Sequence, residues 1–294
     1  MLRIPFLALA LLTSTAQMMT AQARGAPPPA QADSAAADSA ALIQQGQARP
    51  LIAPRDLFRR SDAFLAAGFA AATVALFPLD RHFAEELQSP AAQSNRTLGS
   101  TATRLEKITS PGAYYVGGGL YLLGRVAGWE RMADLGLHAT ESIVLAEGIG
   151  FVLKRAIGRA RPYVSNSADP RDFSIGTGFG TGDRRSFPSG HTYTAFALAS
   201  AVTSETREWW PGSSWFVAPL LYGGATAVGL SRMYHNMHWA SDIVLGAAVG
   251  TFSGLKLVRF MHDNPGNRAD RFLLGSPVVR RAFDATQLGW QLQF

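Results

Sequence analysis

The stretch WASDIVLGAAVGTFSGLKLV, residues 239–258, decides the fold class. It is apolar, rich in Gly and Ala, and long enough for a helix of about three to five turns. The β-branched alternation of a strand is scarce in it. Five further stretches read the same way, at roughly 63–79, 112–128, 134–153, 191–204 and 215–230. Asp62 stands where the N-cap of the first is expected, Pro78 where it ends, and Pro111 and Pro188 where later helices start. No strand–helix alternation accompanies these stretches, which disfavours a doubly wound α/β fold. The expectation is an all-α bundle of about six core helices occupying residues 61–262.

The flanks read differently. Residues 1–23 have the form of an export signal, with Arg3 as the positive region, a short apolar run from Ile4 to Leu12, and small residues at Ala21-Gln22-Ala23. That run is too short to span a bilayer comfortably. Residues 24–60 are rich in Ala and Pro and almost free of large apolar side chains, so they cannot offset their ordering entropy and are expected to be a disordered tether. In the tail, 263–294, Leu288, Trp290, Leu292 and Phe294 alternate with Gly289, Gln291 and Gln293. This is strand periodicity, and 277–283 is a candidate partner for a short β-hairpin.

Of the 294 residues, 47% are hydrophobic and 16% charged, below the quarter usual for soluble domains. This suits a helical protein with a very apolar core or one partly in a membrane. Cysteine is absent, which excludes disulfides and thiolate metal sites. The net charge of +6 is uneven, because residues 154–185 hold seven Lys and Arg against three Asp. No base-stacking aromatics accompany that charge, so a pocket for a small anionic group explains it better than nucleic acid does.

Three clusters carry the chemistry: Lys154-x6-Arg161-Pro162, Pro188-Ser189-Gly190-His191, and Ser231-Arg232-x5-His238-x3-Asp242. His238 and Asp242, four apart, are expected on one helix face, where the carboxylate fixes the imidazole tautomer and leaves the other nitrogen as a nucleophile. Taken alone, the pair reads better as a core histidine bonded to its own helix turn. The neighbouring clusters decide against that. Arg232 brings a planar fork suited to phosphate oxygens. Ser189 is a natural N-cap, and Gly190 lets a helix N-terminus approach an anion closely. His191 is placed to give a proton to a leaving alkoxide. Lys154 and Arg161, seven apart, are expected two helical turns along one helix, pointing the same way.

Other residues have plainer readings. His235, three before His238, suggests a metal pair with Asp242 but lacks a third protein ligand. His138, Glu141 and Glu147 read as interhelical hydrogen-bond partners. Trp209, Trp210 and Trp215 read as an interfacial belt or a cover for the bundle end.

Together the clusters resemble the type 2 phosphatidic acid phosphatase family, which includes bacterial class A acid phosphatases and vanadium haloperoxidases. The motifs span residues 154–242 with no departure at a defining position. The resemblance implies a metal-independent phosphatase without a cofactor. In it His238 attacks phosphorus, Asp242 orients it and His191 protonates the departing oxygen. Lys154, Arg161, Ser189, Gly190 and Arg232 bind the phosphate, and vanadate acts as an inhibitor mimicking the transition state. The expected substrate is a lipid phosphate of the cell envelope. The alternatives are soluble organic phosphates, met by a periplasmic acid phosphatase, and a vanadate-dependent haloperoxidase. A scaffold that had lost activity is disfavoured, since no reacting group is missing.

Several of the apolar stretches are long enough to cross about 30 Å of hydrocarbon. The 191–204 stretch is short, however, and 134–153 carries two glutamates. Six crossings after a cleaved leader would put Lys154 and His191 on the cytoplasmic side. The expectation is an exported, membrane-associated enzyme whose pocket faces the periplasm.

Overall fold

The computed structural model describes residues 59–164, 169–264, 267–274, 276–282 and 285–291. The expected leader and nearly all of the expected tether lie outside the described residues. The tether's last residue, Arg60, already opens the first helix.

Among the described residues, eight helices have eight residues or more: α1 (Arg60–Leu76), α2 (Asp80–Leu87), α4 (Arg96–Thr109), α5 (Gly112–Ala127), α6 (Glu130–Ile157), α7 (Gly190–Trp209), α8 (Ser214–Tyr234) and α9 (Ala240–Asp263). Two shorter ones, α3 (Pro90–Gln93) and α10 (Arg268–Leu273), sit in connections. The all-α bundle holds, and the expected count of six helices is corrected to eight. The six apolar stretches are α1 and α5 to α9. The two additions, α2 and α4, have polar sequences with apolar side chains on one face only, so neither carries the long apolar run that marks a core helix.

Asp62 is also displaced from its expected place. The N-cap is Arg59, three residues earlier, and Asp62 is in the first turn, accepting from the Arg59 amide at 2.5 Å. Its carboxylate pairs with Lys256 near the other end of α9, which sets α1 antiparallel to α9.

The core is the meeting of α6, α7 and α9, where Ile143, Ala146, Tyr193, Ala197 and Val249 are buried together. Phe196, Ala199, Ala225 and Ala247 continue it toward α8. Three glycines at helical spacing let α9 touch the backbone of α7. A Cβ at Gly246 would stand 2.8 Å from the Ser189 carbonyl and one at Gly254 2.6 Å from the Ser200 Cβ, while one at Gly250 would overlap the Tyr193 carbonyl. This approach brings the Ser189 amide to 3.0 Å from the Asp242 carbonyl, where it donates a hydrogen bond. Packing of the two helices thereby joins two of the three motif clusters.

Toward the C-terminus, β1 (Ser276–Ala282) and β2 (Ala285–Gln291) run antiparallel, with Val279 opposite Leu288 and Pro277 opposite Trp290. Leu292 and Phe294, part of the expected strand, lie outside the described residues.

Three segments, Arg60–Leu87, Glu130–Ile157 and Ala240–Asp263, are long and apolar enough to cross a membrane by length and composition. Large apolar side chains face outward on the bundle, among them Phe64, Val74, Leu122, Val126, Phe151 and Leu220.

Candidate active site

Four helix ends converge at one end of the bundle. The last turn of α6 brings Lys154, the first turn of α7 brings Gly190 and His191, the last turn of α8 brings Arg232, and the first turn of α9 brings Asp242. The expectation that Lys154 and Arg161 share a helix is corrected. The helix stops at Ile157 because Gly158 turns left-handed (φ 62°), and a Cβ there would overlap the Ser174 carbonyl. Arg161 therefore reaches the site from a loop, donating from Nε to the Gly182 carbonyl at 3.1 Å and from Nη1 to the Met237 carbonyl at 3.3 Å. Lys154 Nζ donates to the Arg185 carbonyl at 3.0 Å, and its Cε lies 3.8 Å from where a Gly190 Cβ would be. The ammonium is thus beside the N-terminus of α7.

His238 and Asp242 do meet, but not along one helix. The helix α9 begins at Ala240, so His238 lies before it and Asp242 occupies its first turn. Asp242 Oδ2 accepts from the Trp239 amide at 2.8 Å and from Ser186 Oγ at 2.5 Å, and lies 3.4 Å from His238 Nδ1. With the proton on Nδ1 facing the carboxylate, Nε2 keeps its lone pair. His238 is 3% exposed. That burial, with the charges of Lys154 and Arg161, pushes its pKa down to about 3. His191, half-buried, is pushed down to about 4 by burial and then by Arg232, Lys154 and Arg161. Lys154 and Arg161 act on both imidazoles, and Arg232 acts on His191.

Ser189 occupies the N-cap position of α7, yet its side chain makes no capping bond. Its Oγ accepts instead from Thr192 Oγ1 at 2.9 Å, which leaves its own hydroxyl proton to donate elsewhere. Arg232 pairs with Glu106 of α4. Its Nε is buried and has no hydrogen-bond partner among the described residues, a donor suited to an anion. Burial would raise the Glu106 carboxyl, but Arg232, with His191 and His235, holds the group below its ordinary range.

Two buried residues support the site from behind and stand outside the motif positions. Arg159 donates from Nη1 to Asp242 Oδ1 at 2.5 Å and from Nη2 to Asp80 Oδ2 at 2.7 Å. Asp80 in turn accepts from the Ser241 amide at 2.8 Å and its hydroxyl at 2.6 Å. Arg159 lay within the sequence's basic segment without any feature to separate it from its neighbours. Asp80 carried no signal.

Most of the remaining candidates have structural partners; Glu141 does not act as the expected interhelical partner through Oε2, which is buried with no hydrogen bond among the described residues. His235 Nδ1 faces Glu106 at 2.9 Å rather than His238. Glu147 accepts from Tyr193 at 2.8 Å and from Thr194 at 2.9 Å, and His138 meets Glu205 at 2.5 Å, both pairs linking α6 to α7. Trp210 and Trp215 both pack on Phe216 at the far bundle end, with ring centroids 5.2 and 5.3 Å away. Residues able to hold a metal ion lie at that far end, around His138.

Residues 135–265 match the model of the PAP2 superfamily. The chain is 46% identical over 69 residues to a lipid A 1-phosphatase of Porphyromonas gingivalis, covering 24% of this chain and 15% of that one. It is 30% identical over 149 residues to a lipid A 1-phosphatase of Rhizobium etli, covering 51% of this chain and 60% of that one. These alignments span less than two thirds of either relative's length. Among solved structures, LpxE of Aquifex aeolicus superposes with a TM-score of 0.45 at 21% identity, covering 62% of this chain and 95% of that one. A transmembrane PAP2 type phosphatidylglycerolphosphate phosphatase of Bacillus subtilis gives 0.35 at 22% identity, covering 67% and 98%. Residues 135–265, the part of the chain that matches the PAP2 superfamily model, hold all eight motif residues of the site.

Proposed function

We propose that this protein hydrolyses a phosphate monoester or pyrophosphate of a membrane lipid through a phosphohistidine at His238. The observation that carries the reading is His238 itself: nearly inaccessible, neutral, bonded through Nδ1 toward Asp242, and faced by Lys154 and Arg161. A buried imidazole among cations is costly unless an anion completes the set.

In the proposed reaction His238 Nε2 attacks phosphorus as the bond to the leaving oxygen breaks. His191 transfers a proton to that oxygen. Since His191 is neutral at ordinary pH before substrate binds, the proton arrives with the substrate monoanion or is taken up on binding of the dianion. Water then attacks phosphorus, the P–N bond breaks, and His191 accepts the water's proton. Lys154, Arg161, Arg232, the Gly190 amide and the Ser189 hydroxyl stabilise the charge on the equatorial oxygens. These fixed cations take the role a divalent metal has in other phosphoryl-transfer sites.

The lipid part of the reading is supported by the apolar outer faces of α1, α5 and α6 and by the three segments able to cross a membrane. Two relatives that the chain resembles over part of its length are lipid A 1-phosphatases, so the 1-phosphate of lipid A is the first substrate to test. We place the pocket on the periplasmic side, which after a cleaved leader requires that not all six apolar stretches cross the membrane. The test is phosphate release by detergent-solubilised protein from lipid A, phosphatidate, phosphatidylglycerol phosphate and p-nitrophenyl phosphate. At least one lipid should exceed p-nitrophenyl phosphate in kcat/KM by about 100-fold or more. Equal rates on all four would contradict the lipid assignment and favour soluble organic phosphates.

A further inference from the structure

The end of the bundle away from the phosphate pocket carries a second concentration of ionisable side chains. His138 precedes Lys154 by sixteen residues on α6, Glu205 follows Ser189 by sixteen on α7, and His262 follows Asp242 by twenty on α9. At the helical rise these offsets amount to about 24, 24 and 30 Å. This cluster is therefore separate from the catalytic machinery, and its chemistry is independent of the phosphatase reading.

We propose that His138, Glu205 and His262 bind a divalent transition-metal ion of the zinc class. His138 Nδ1 lies 2.5 Å from Glu205 Oε1, and His262 Nε2 lies 3.0 Å from each Glu205 oxygen. One donor atom from each residue falls within 4.8 Å of the other two. Donors around tetrahedral zinc, with bonds of about 2.0–2.2 Å, stand roughly 3.3 Å apart, so movements under about 1 Å convert this contact set into a ligand set. Three separate helices hold the donors, and His138 and Glu205 are buried. The His262 side chain is 41% exposed, which gives an ion an entry route and a place for a water ligand.

Two further observations point to a cation. The other nitrogen of His138, Nε2, lies 3.4 Å from Asp270 Oδ1, the outer carboxylate that commonly orients a metal-bound imidazole. Carboxylates also outnumber the imidazoles: Asp134, Glu141, Glu205 and Asp270 all act on His138. Glu141 Oε2 is buried with no hydrogen-bond partner among the described residues. Two imidazoles with carboxylate oxygens are a donor set that favours zinc over magnesium or calcium. The competing account is a proton-bridged His–Glu–His network with no ion. Bound metal would fasten α6, α7 and α9 together in the folded state alone, and so stabilise it.

The test uses the full chain in detergent, stripped with a chelator and titrated with zinc against a chromophoric competitor, then with cobalt for its visible spectrum. The expected result is one equivalent bound with a Kd below about 1 μM, a raised Tm, and cobalt bands of tetrahedral intensity. His262→Ala, at a half-exposed position that the fold should tolerate, and His138→Gln should each weaken binding by about 100-fold or more. His238→Ala, at the other end, should bind as the parent does. No stoichiometric binding by the parent chain, or binding undiminished in His262→Ala, would overturn the proposal.

Discussion

Arg159 Nη1 stands 2.5 Å from Asp242 Oδ1, and neither side chain has any solvent exposure. The same guanidinium reaches Asp80 and lies near the rings of Phe77, Phe173, Phe187 and Trp239, at 4.9 to 5.6 Å from their centroids. One buried cation thus bridges two buried carboxylates, and the carboxylate that faces His238 is held by a partner with no solvent exposure.

Replacing Arg159 by Met should leave Asp80 and Asp242 as uncompensated buried charges. The expected cost is about 3–5 kcal/mol, read by chemical or thermal denaturation. Arg159→Lys keeps the charge and loses the fork. It should recover part of the stability while kcat stays depressed with KM nearly unchanged, because Asp242 is no longer held in place.

Asp242→Asn should lower kcat by about 10²–10⁴-fold, since the amide cannot hold the same His238 tautomer. Single-turnover kinetics separate this from a binding defect. A variant with unchanged kcat would exclude Asp242 from orienting the nucleophile.

Gly250 tests the packing that joins the motif clusters. Its Cβ would overlap the Tyr193 carbonyl, so Gly250→Ala should force α7 and α9 apart, cost about 1–3 kcal/mol and weaken the Ser189–Asp242 bond. Gly118→Ala on α5 meets nothing within 4 Å, and should be neutral or stabilising by up to about 1 kcal/mol.

The helical core was legible in the sequence because α1 and α5 to α9 are long apolar runs, while α2 and α4 were hidden by their polar outer faces. The eight candidate site residues stood out in the sequence because each cluster is local in the chain. Their geometry did not. The positive φ of Gly158 ends α6 between Lys154 and Arg161, and Trp239, not His238, precedes α9, so two spacings that look helical are crossed by helix ends. Asp80 pairs with Arg159 across 79 residues and Glu106 reaches Arg232 from α4, contacts that no local pattern encodes.

The depressed imidazoles set the pH dependence. Both folded pKa values, about 3 for His238 and about 4 for His191, lie below the ordinary 6.5, so both rings are neutral near pH 7. The leaving-group proton then comes with the substrate monoanion or is taken up as the dianion binds, and the substrate's second ionisation lies near pH 6. The quantity kcat/KM should rise as pH falls from about 8 to about 5, and decline only as His238 begins to protonate below about 4. His191→Ala should flatten the rise. A parent profile that climbs toward alkaline pH would contradict this assignment.

Vanadate adopts the five-coordinate geometry of the transition state, so it should inhibit. Arg161→Ala should lose about 10²–10³-fold in both kcat/KM and vanadate affinity. Loss of one without the other would show that Arg161 does not act on the transition state.

The mechanism turns on His238 as the phosphoryl acceptor. The most direct measurement is phosphate release by His238→Ala, with the fold verified by circular dichroism and Tm. Activity should fall by about 10⁴-fold or more on every substrate the parent hydrolyses. A folded variant within about tenfold of the parent would contradict that role.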